Sequence, residues 1–403
     1  MTTKYWVWLT QRTGLGTRRI AALLEHFGSA EAVFEADEPA YAEVEGLSRA
    51  CIPALMDKGL EEAENTLEQC DRKGICLLTF ADDAYPKRLR NISDPPAVLY
   101  YQGHVPKVDE LPLITVVGSR KASAYGNVCA RQFGSQLAKS GCTVVSGGAA
   151  GIDTMGLTGA MAAGGQVVCV LGCGVDVAYP RANRDLFRDI AASGWLVSEY
   201  PPGTPPNGHH FPVRNRILSG LSVGVVVVEA GERSGALITA SLALEQGRDV
   251  FAVPGNVDIA CAKGSNRLLK EGAILAESGW EVAQEYQALF PDKIHRPQGA
   301  TPLQEVVQQR RSQPPQIPAA RVAEPKTTPV RSTVLDVDKL AGQVSETEQT
   351  ILRQLQGGTV HVDELISRTG LPASRVLAAL TMLEVRHFVE QRPGKLFSLA
   401  KKQ

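Results

Sequence analysis

Between Phe211 and Leu221 the chain reads Phe-Pro-Val-Arg-Asn-Arg-Ile-Leu-Ser-Gly-Leu, and two loops of related chemistry precede it, Val-Val-Gly-Ser-Arg at 116–120 and Ser-Gly-Gly-Ala-Ala-Gly-Ile-Asp at 146–153. A strand that turns through small residues into a helix N-terminus presents backbone N–H groups and a positive dipole end to an anion. The chemistry expected of these loops is phosphate binding. In the first, Gly118 and Ser119 lead to Arg120, whose planar fork suits a bidentate phosphate contact. In the second, Ser146, Gly147 and Gly148 let a ligand approach the backbone closely, and Asp153 suits either a ligand hydroxyl or a helix cap. In the third, Arg214 and Arg216 flank the planar amide of Asn215, a set able to hold two phosphates, or a phosphate and a base edge. His209, His210 and Phe211 beside them offer faces for unpaired bases. The plainer reading of the same segment puts Phe211 in the core and pairs Arg214 with Glu199 or Glu229. Ser234 and Gly235 open one more helix through small residues, a further anion cradle. In Tyr179-Pro-Arg-Ala-Asn-Arg184, Arg181 or Arg184 extends the basic surface or is a solvated charge.

Other chemistries lack their residues. The chain has no G-x-x-x-x-G-K-[ST], no G-x-G-x-x-G in the 146–153 loop and no G-x-S-x-G elbow, and these loops hold no metal-ligand cluster and no nucleophile paired with a base. No catalysis, metal or cofactor is therefore expected. The eight cysteines form no C-x-x-C pair and read as buried free thiols of a reducing compartment. The N-terminus lacks a long apolar run and no stretch approaches a membrane span, which predicts a cytoplasmic protein.

The elements that must position these loops follow from periodicity. Residues 112–280 alternate Val-rich strand-like runs (Ile114–Val117, Thr143–Val145, Val167–Leu171, Trp195–Ser198, Val223–Val228, Val250–Val253, Ala273–Leu275) with helical stretches such as Tyr125–Ser140, Asn183–Ala192 and Ser234–Gln246. Continuous apolar strands separated by helices predict a parallel sheet covered on both faces, with ligands beyond the C-terminal strand ends. Charge is distributed to match. Net charge is only −1, yet residues 112–280 carry 14 Lys and Arg against 12 Asp and Glu, whereas residues 1–75 carry 8 against 13. The anion site belongs to the central domain. Residues 1–75 read as an all-α module of helix-hairpin-helix or SAM-like type, with turns at Thr13–Gly16 and Val44–Leu47; its acidic balance favours protein contact or a structural role over DNA. The α/β domain is expected over 76–290 and a flexible Pro, Gln and Arg-rich linker over 291–344. Residues 345–403 read as a winged helix: a capping box at Ser345–Glu348, three helices, and a hairpin around Pro393-Gly394 with Arg392 and Lys395 in the wing.

In order, these blocks resemble the DprA/Smf family of DNA-processing proteins. The resemblance rests on Val-Val-Gly-Ser-Arg120, Ala124-Tyr-Gly126, Ser146 to Asp153, Val170 to Gly174, Tyr179-Pro180, Ser198-Glu-Tyr-Pro-Pro-Gly203, Phe211 to Leu221, Glu229-Ala230, Ser234 to Ala240 and Gly247 to Gly255. It implies an extended Rossmann-like domain that binds single-stranded DNA and loads RecA onto it in natural transformation, as a homodimer. By motif, Arg120 would contact a DNA phosphate, the Gly147 and Ser234 loops would line the same pocket, and Arg214 to Arg216 would lie beside it. One departure stands out: many relatives carry an Ala-His pair after Gly-Ile-Asp, where this chain has Thr154-Met155. Two alternatives compete. One is a winged-helix transcription regulator with a nucleotide-sensing α/β domain, although Ser374, Arg375 and Thr381 are thin for major-groove readout. The other is a nucleotide-processing enzyme of the lysine-decarboxylase-like type, whose double-glycine loop and catalytic glutamate are missing at Glu229–Ala240.

Overall fold

Why the central strands are buried on both faces is visible in their residues. In the computed structural model, which describes residues 2–297, 344–356, 358–386, 388–392 and 396–400, strand β3 (Leu113–Val117) is buried at every position. Ile114 and Val116 point to one core, Leu113 and Val117 to the other, and Thr115 is satisfied by donating to Leu218 O at 2.9 Å. The same pattern recurs along β4 (Thr143–Ser146), β5 (Val167–Leu171), β6 (Trp195–Ser198) and β7 (Gly224–Val227), and along β8 (Asp249–Ala252) after its exposed first residue, and the short β9 (Ile274–Leu275) closes the edge. These seven strands are parallel, in the order β6-β5-β4-β3-β7-β8-β9.

Two strands stand outside the stretch whose alternation was read from sequence. β1 (Cys76–Thr79) and β2 (Val98–Gly103) extend the β6 edge, β2 antiparallel to β6 and β1 antiparallel to β2, making nine strands. The sheet is mixed, not wholly parallel. Antiparallel neighbours need no crossover helix, so a single short helix, α7 (Lys87–Arg90), suffices between β1 and β2.

One face of the sheet is covered by α8 (Ala124–Lys139), α9 (Ile152–Ala162), α10 (Arg184–Ser193) and α14 (Gly279–Gln284), through residues such as Phe133, Leu157, Ile190 and Val282. The other is covered by α11 (His210–Leu221), α12 (Gly235–Glu245) and α13 (Lys263–Lys270), through Ile217, Leu221, Ala240 and Leu268. The N-terminal helices α1 (Thr3–Gln11), α2 (Thr17–Phe27), α3 (Ala30–Glu35), α4 (Glu38–Ala42), α5 (Ile52–Met56) and α6 (Glu61–Lys73) bury Trp6, Trp8, Leu23 and Leu55 together with Val98 and Tyr100 of β2. They share a core with the sheet edge and lie in the same compact unit.

The second unit contains α15 (Glu346–Leu355), α16 (Val362–Thr369) and α17 (Ala373–Val385), with β10 (Val360–His361), β11 (Val389–Arg392) and β12 (Leu396–Leu399) paired in a three-stranded sheet, a winged helix. Ser345 and Glu348 form the reciprocal capping box that opens α15. Leu352, Leu365, Leu380 and Phe397 fill its core. Residues 298–343, most of the expected linker, lie outside the described residues.

Candidate functional site

The chain lays down β3, β4, β5 and β6 in one direction across the sheet and then adds β7, β8 and β9 on the far side of β3. The topological switch point is between β3 and β7. There the loops leaving neighbouring strands part in opposite directions and open a crevice at the C-terminal edge. A pocket of about 590 Å³ occupies it, walled by the β3 loop (Gly118 to Lys121), the start of α11 (Phe211, Arg214, Asn215) and the β7 loop (Gly231, Arg233, Ser234, Gly235).

Besides the buried Arg214, three exposed cations line this pocket: Arg120, Lys121 and Arg233. None of them makes a salt bridge among the described residues. The Arg120 guanidinium lies 4.8 Å from the centroid of the Phe211 ring, whose other neighbour is the Tyr179 ring at 5.5 Å. Such a stack fixes the direction of the cation while leaving its N–H fork available.

The Arg120 loop is held from both ends by Glu229, two residues beyond β7. Ser119 N donates to the Glu229 carbonyl at 2.7 Å, Ser123 N donates to its Oε1 at 3.0 Å, and the Ser123 hydroxyl donates to its Oε2. Ser123 in turn caps α8 by accepting from Gly126 N at 2.9 Å. The loop is preorganised before any ligand arrives.

The 146–153 loop works differently from the expectation. Ser146 is buried and donates to Val116 O at 2.6 Å, Gly148 sits at φ 64° against Phe187 and Cys169, and neither belongs to the pocket wall. Gly147 is small because Arg214 crosses it: Nη1 of Arg214 donates to Gly147 O at 2.8 Å and to Val170 O, and a Cβ at 147 would overlap the guanidinium. Asp153 lines the pocket but neither caps α9 nor stands free. Its Oδ2 accepts from Gly147 N at 3.2 Å and Ala149 N at 3.4 Å. Burial pushes this carboxyl up, opposed by the Arg214 guanidinium and those two N–H groups; burial likewise pushes Arg214 down, with Asp153 opposing.

Arg214 and Arg216 therefore do not offer the pair of free guanidinium forks expected from the tripeptide. They are 4% and 3% exposed. Arg216 faces away from Arg214, with Nη2 2.6 Å from Glu199 Oε1 and Nε 3.2 Å from Asp94 Oδ2. Burial alone would lower its pKa; the two carboxylates outweigh that and raise it. The physical reason is helical: both arginines sit inside α11, where positions two apart point about 200° from one another and cannot share a ligand. Asn215 lines the pocket between them and donates to Gly235 O at 3.3 Å. Glu199, weighed as a partner for Arg214, pairs with Arg216 instead. Glu229 pairs with neither. His210 stacks on Tyr200 at 4.0 Å, and His209 is exposed.

Of the sequence candidates, the structure gathers Gly118, Ser119, Arg120, Phe211, Arg214, Asn215, Ser234 and Gly235 around one pocket. Ser146, Gly147, Gly148 and Arg216 support it from behind. Arg181, exposed on a short turn of 3-10 helix, is outside the pocket wall. Lys121 and Arg233 were missed, although each adjoins a residue that was singled out. The described residues contain no group of three potential metal ligands and no helix long and apolar enough to cross a membrane. On the winged helix, the exposed face of α17 carries Ser374, Arg375, Leu377, Ala378, Thr381 and Met382. Lys395 and the side chain of Arg392 lie outside the described residues.

Fold and site together define a Rossmann-like protein that presents exposed cations and an aromatic ring at the switch point of its sheet, joined in sequence to a winged helix. Residues 76–287 match the model of the family described as DNA recombination-mediator protein A, and residues 318–395 match the DprA winged helix domain. The chain is 34% identical over 397 residues to Protein Smf of Synechocystis, covering 97% of each. It is 35% identical over 285 residues to the DNA processing protein DprA of Streptococcus pneumoniae, covering 71% of this chain and 99% of that one. The X-ray structure of the pneumococcal protein superposes with a TM-score of 0.62 at 34% identity, over 70% of this chain and 98% of the other. The chain belongs to the DNA recombination-mediator protein A family.

Proposed function

We propose that this protein binds single-stranded DNA in the pocket between β3 and β7 and passes it to RecA, acting by binding and without catalysis, in the cytoplasm and as a homodimer. The observation that carries the reading is the meeting of Arg120, Lys121 and Arg233, exposed and without a salt bridge among the described residues, with the Phe211 ring in one crevice. Cations without internal partners attract phosphates, and an aromatic face beside them stacks a base. Only an unpaired base can reach such a face. A chain with a net charge of −1 has no general field for polyanions, so affinity has to come from this local set, doubled if two copies engage one strand.

The test is fluorescence anisotropy with an oligonucleotide in single-stranded and duplex form across a salt series. The expected result is preference for the single strand, with log K falling against log salt by about 0.7 per phosphate contacted. Equal or tighter duplex binding would overturn the reading. Addition of RecA to the single-strand complex should then speed filament assembly on the same oligonucleotide; no acceleration would remove the mediator step while leaving the binding.

A further inference from the structure

A second hollow lies next along the same sheet edge, between the ends of β7 and β8, and its chemistry is the opposite of the first. It measures about 420 Å³, within the range of small-ligand pockets. The two hollows share their dividing wall: residues 119–121 of the β3 loop face the first and Ser123 the second, while after β7 Gly231 faces the first and Glu229 the second. Among the described residues no lysine or arginine lines the second hollow. Its walls are Val228, Pro254, Ile259, Ala262 and the half-exposed ring of Tyr125.

The one charged group facing it among the described residues is an acceptor, the Glu229 carboxylate, and the amide and hydroxyl groups beside it are neutral. Ser123 engages each oxygen of the buried Glu229 carboxylate once and the weakly donating Cys261 thiol hydrogen-bonds to it as well, so of its four lone-pair positions one is left for a strong donor from outside. The Asn256 side chain is exposed at the rim. Pro254 O is taken by the Tyr125 hydroxyl at 3.3 Å, and Gly255 is fixed through both its N–H and its carbonyl by Asn266, so the walls are set in advance. A phosphate would be repelled here by the carboxylate. A flat, neutral group with hydrogen-bond donors on its edge would be accepted.

We propose that this hollow is a nucleobase subsite of the same DNA-binding face, and that it favours guanine. The proposal rests on the single-strand reading above: the strand's phosphates lie against Arg120, Lys121 and Arg233, and a neighbouring base turns over the Ser123 wall beside Tyr125. Guanine presents two adjacent donors, N1–H and the N2 amino group, to Glu229 and Asn256. Thymine offers one N–H between two carbonyl oxygens that the carboxylate repels, and adenine and cytosine each offer one amino group beside an unprotonated ring nitrogen.

The experiment is a competition by anisotropy among three oligothymidines of equal length: one unmodified, one with a single central guanine, one with a single central inosine, which lacks the N2 amino group. The guanine strand should compete about tenfold better than the unmodified strand, as expected for a hydrogen bond to a charged acceptor, and inosine should lose most of that gain. Glu229→Gln should shrink the guanine-to-thymine ratio, and so should Ile259→Trp, which fills the mouth without touching the Ser123 contacts. Equal competition by all three strands would overturn the subsite and leave single-strand binding standing. Failure of all three to bind would overturn both.

Discussion

Two sets of arginines, Arg120 on the β3 loop at the crevice and Arg214 with Arg216 in the α11 helix beside and behind it, do opposite work. Arg120 is exposed, stacked on Phe211 and without a salt bridge among the described residues. Arg214 and Arg216 are buried, and their donors are spent on Gly147 O, Val170 O, Glu199 and Asp94. The exposed arginine has its charge to give to a ligand, whereas the buried pair has given it to the scaffold that holds the loops apart. An arginine-rich motif thus marks a site without stating which of its members touches the ligand.

The largest effect expected from this difference is on stability. Arg216→Ala leaves the Glu199 and Asp94 carboxylates facing one another without compensation, and removal of one side of a buried pair typically costs 3–5 kcal/mol. Because both carboxylates keep some contact with solvent, the lower end, about 3 kcal/mol, is expected in urea unfolding. A loss below about 0.5 kcal/mol would mean that Arg216 is not structural, and the contrast with Arg120 would collapse.

Gly147→Ala probes the other buried arginine. The added methyl would overlap the Arg214 guanidinium, so either the helix or the loop must shift, at about 1–3 kcal/mol for an overpacked interior. Since Arg214 and Asp153 both line the pocket, single-strand affinity should fall with stability. Full stability with full affinity would show that Arg214 can vacate its place freely.

Arg120→Ala should reverse the pattern. Unfolding stability should stay within about 0.5 kcal/mol, as for an exposed side chain without a salt bridge, while the slope of log K on log salt flattens by about 0.7. An unchanged slope would remove Arg120 from the interface and shift the burden to Lys121 and Arg233.

How much of this was legible beforehand follows the same division. The Val-rich parallel strands and their helices were readable because each strand is buried on both faces and so is continuously apolar. β1 and β2 escaped because they lie at the antiparallel edge: β1 holds only Cys76-Leu-Leu-Thr79, and no crossover helix announces either strand. The convergence of 118–120 with 211–215 and 234–235 was legible as a set of strand-to-helix loops, since a parallel sheet brings all such loops to one edge. What could not be read was direction. The triplet at 214–216 reads in sequence as part of a loop, whereas it lies within α11, and helical spacing then turns its two arginines apart. Lys121 and Arg233 carry no motif of their own, so only the fold reveals that they share the crevice with Arg120.

The smallest expected effect sharpens the comparison furthest, because it asks how far the binding face extends. Arg181 is exposed and basic like Arg120, lies in a loop beyond a strand's C-terminal end like Arg120, and has no salt bridge among the described residues. It differs in position: it follows β5, two strands from β3, and is outside the pocket wall, while its neighbour Arg184 lines a separate hollow with Arg188 and Asp176. If exposure alone made an arginine a DNA contact, Arg181→Ala and Arg120→Ala would flatten the salt slope alike. If the switch point decides, Arg181→Ala should leave slope and stability unchanged within error, and the double variant should match Arg120→Ala. A drop of about 0.7 on removing Arg181 would instead carry the strand's path from the crevice across the ends of β4 and β5. Binding would then follow the whole C-terminal edge of the sheet, and the buried arginines of α11 would be the keel of a track longer than one pocket.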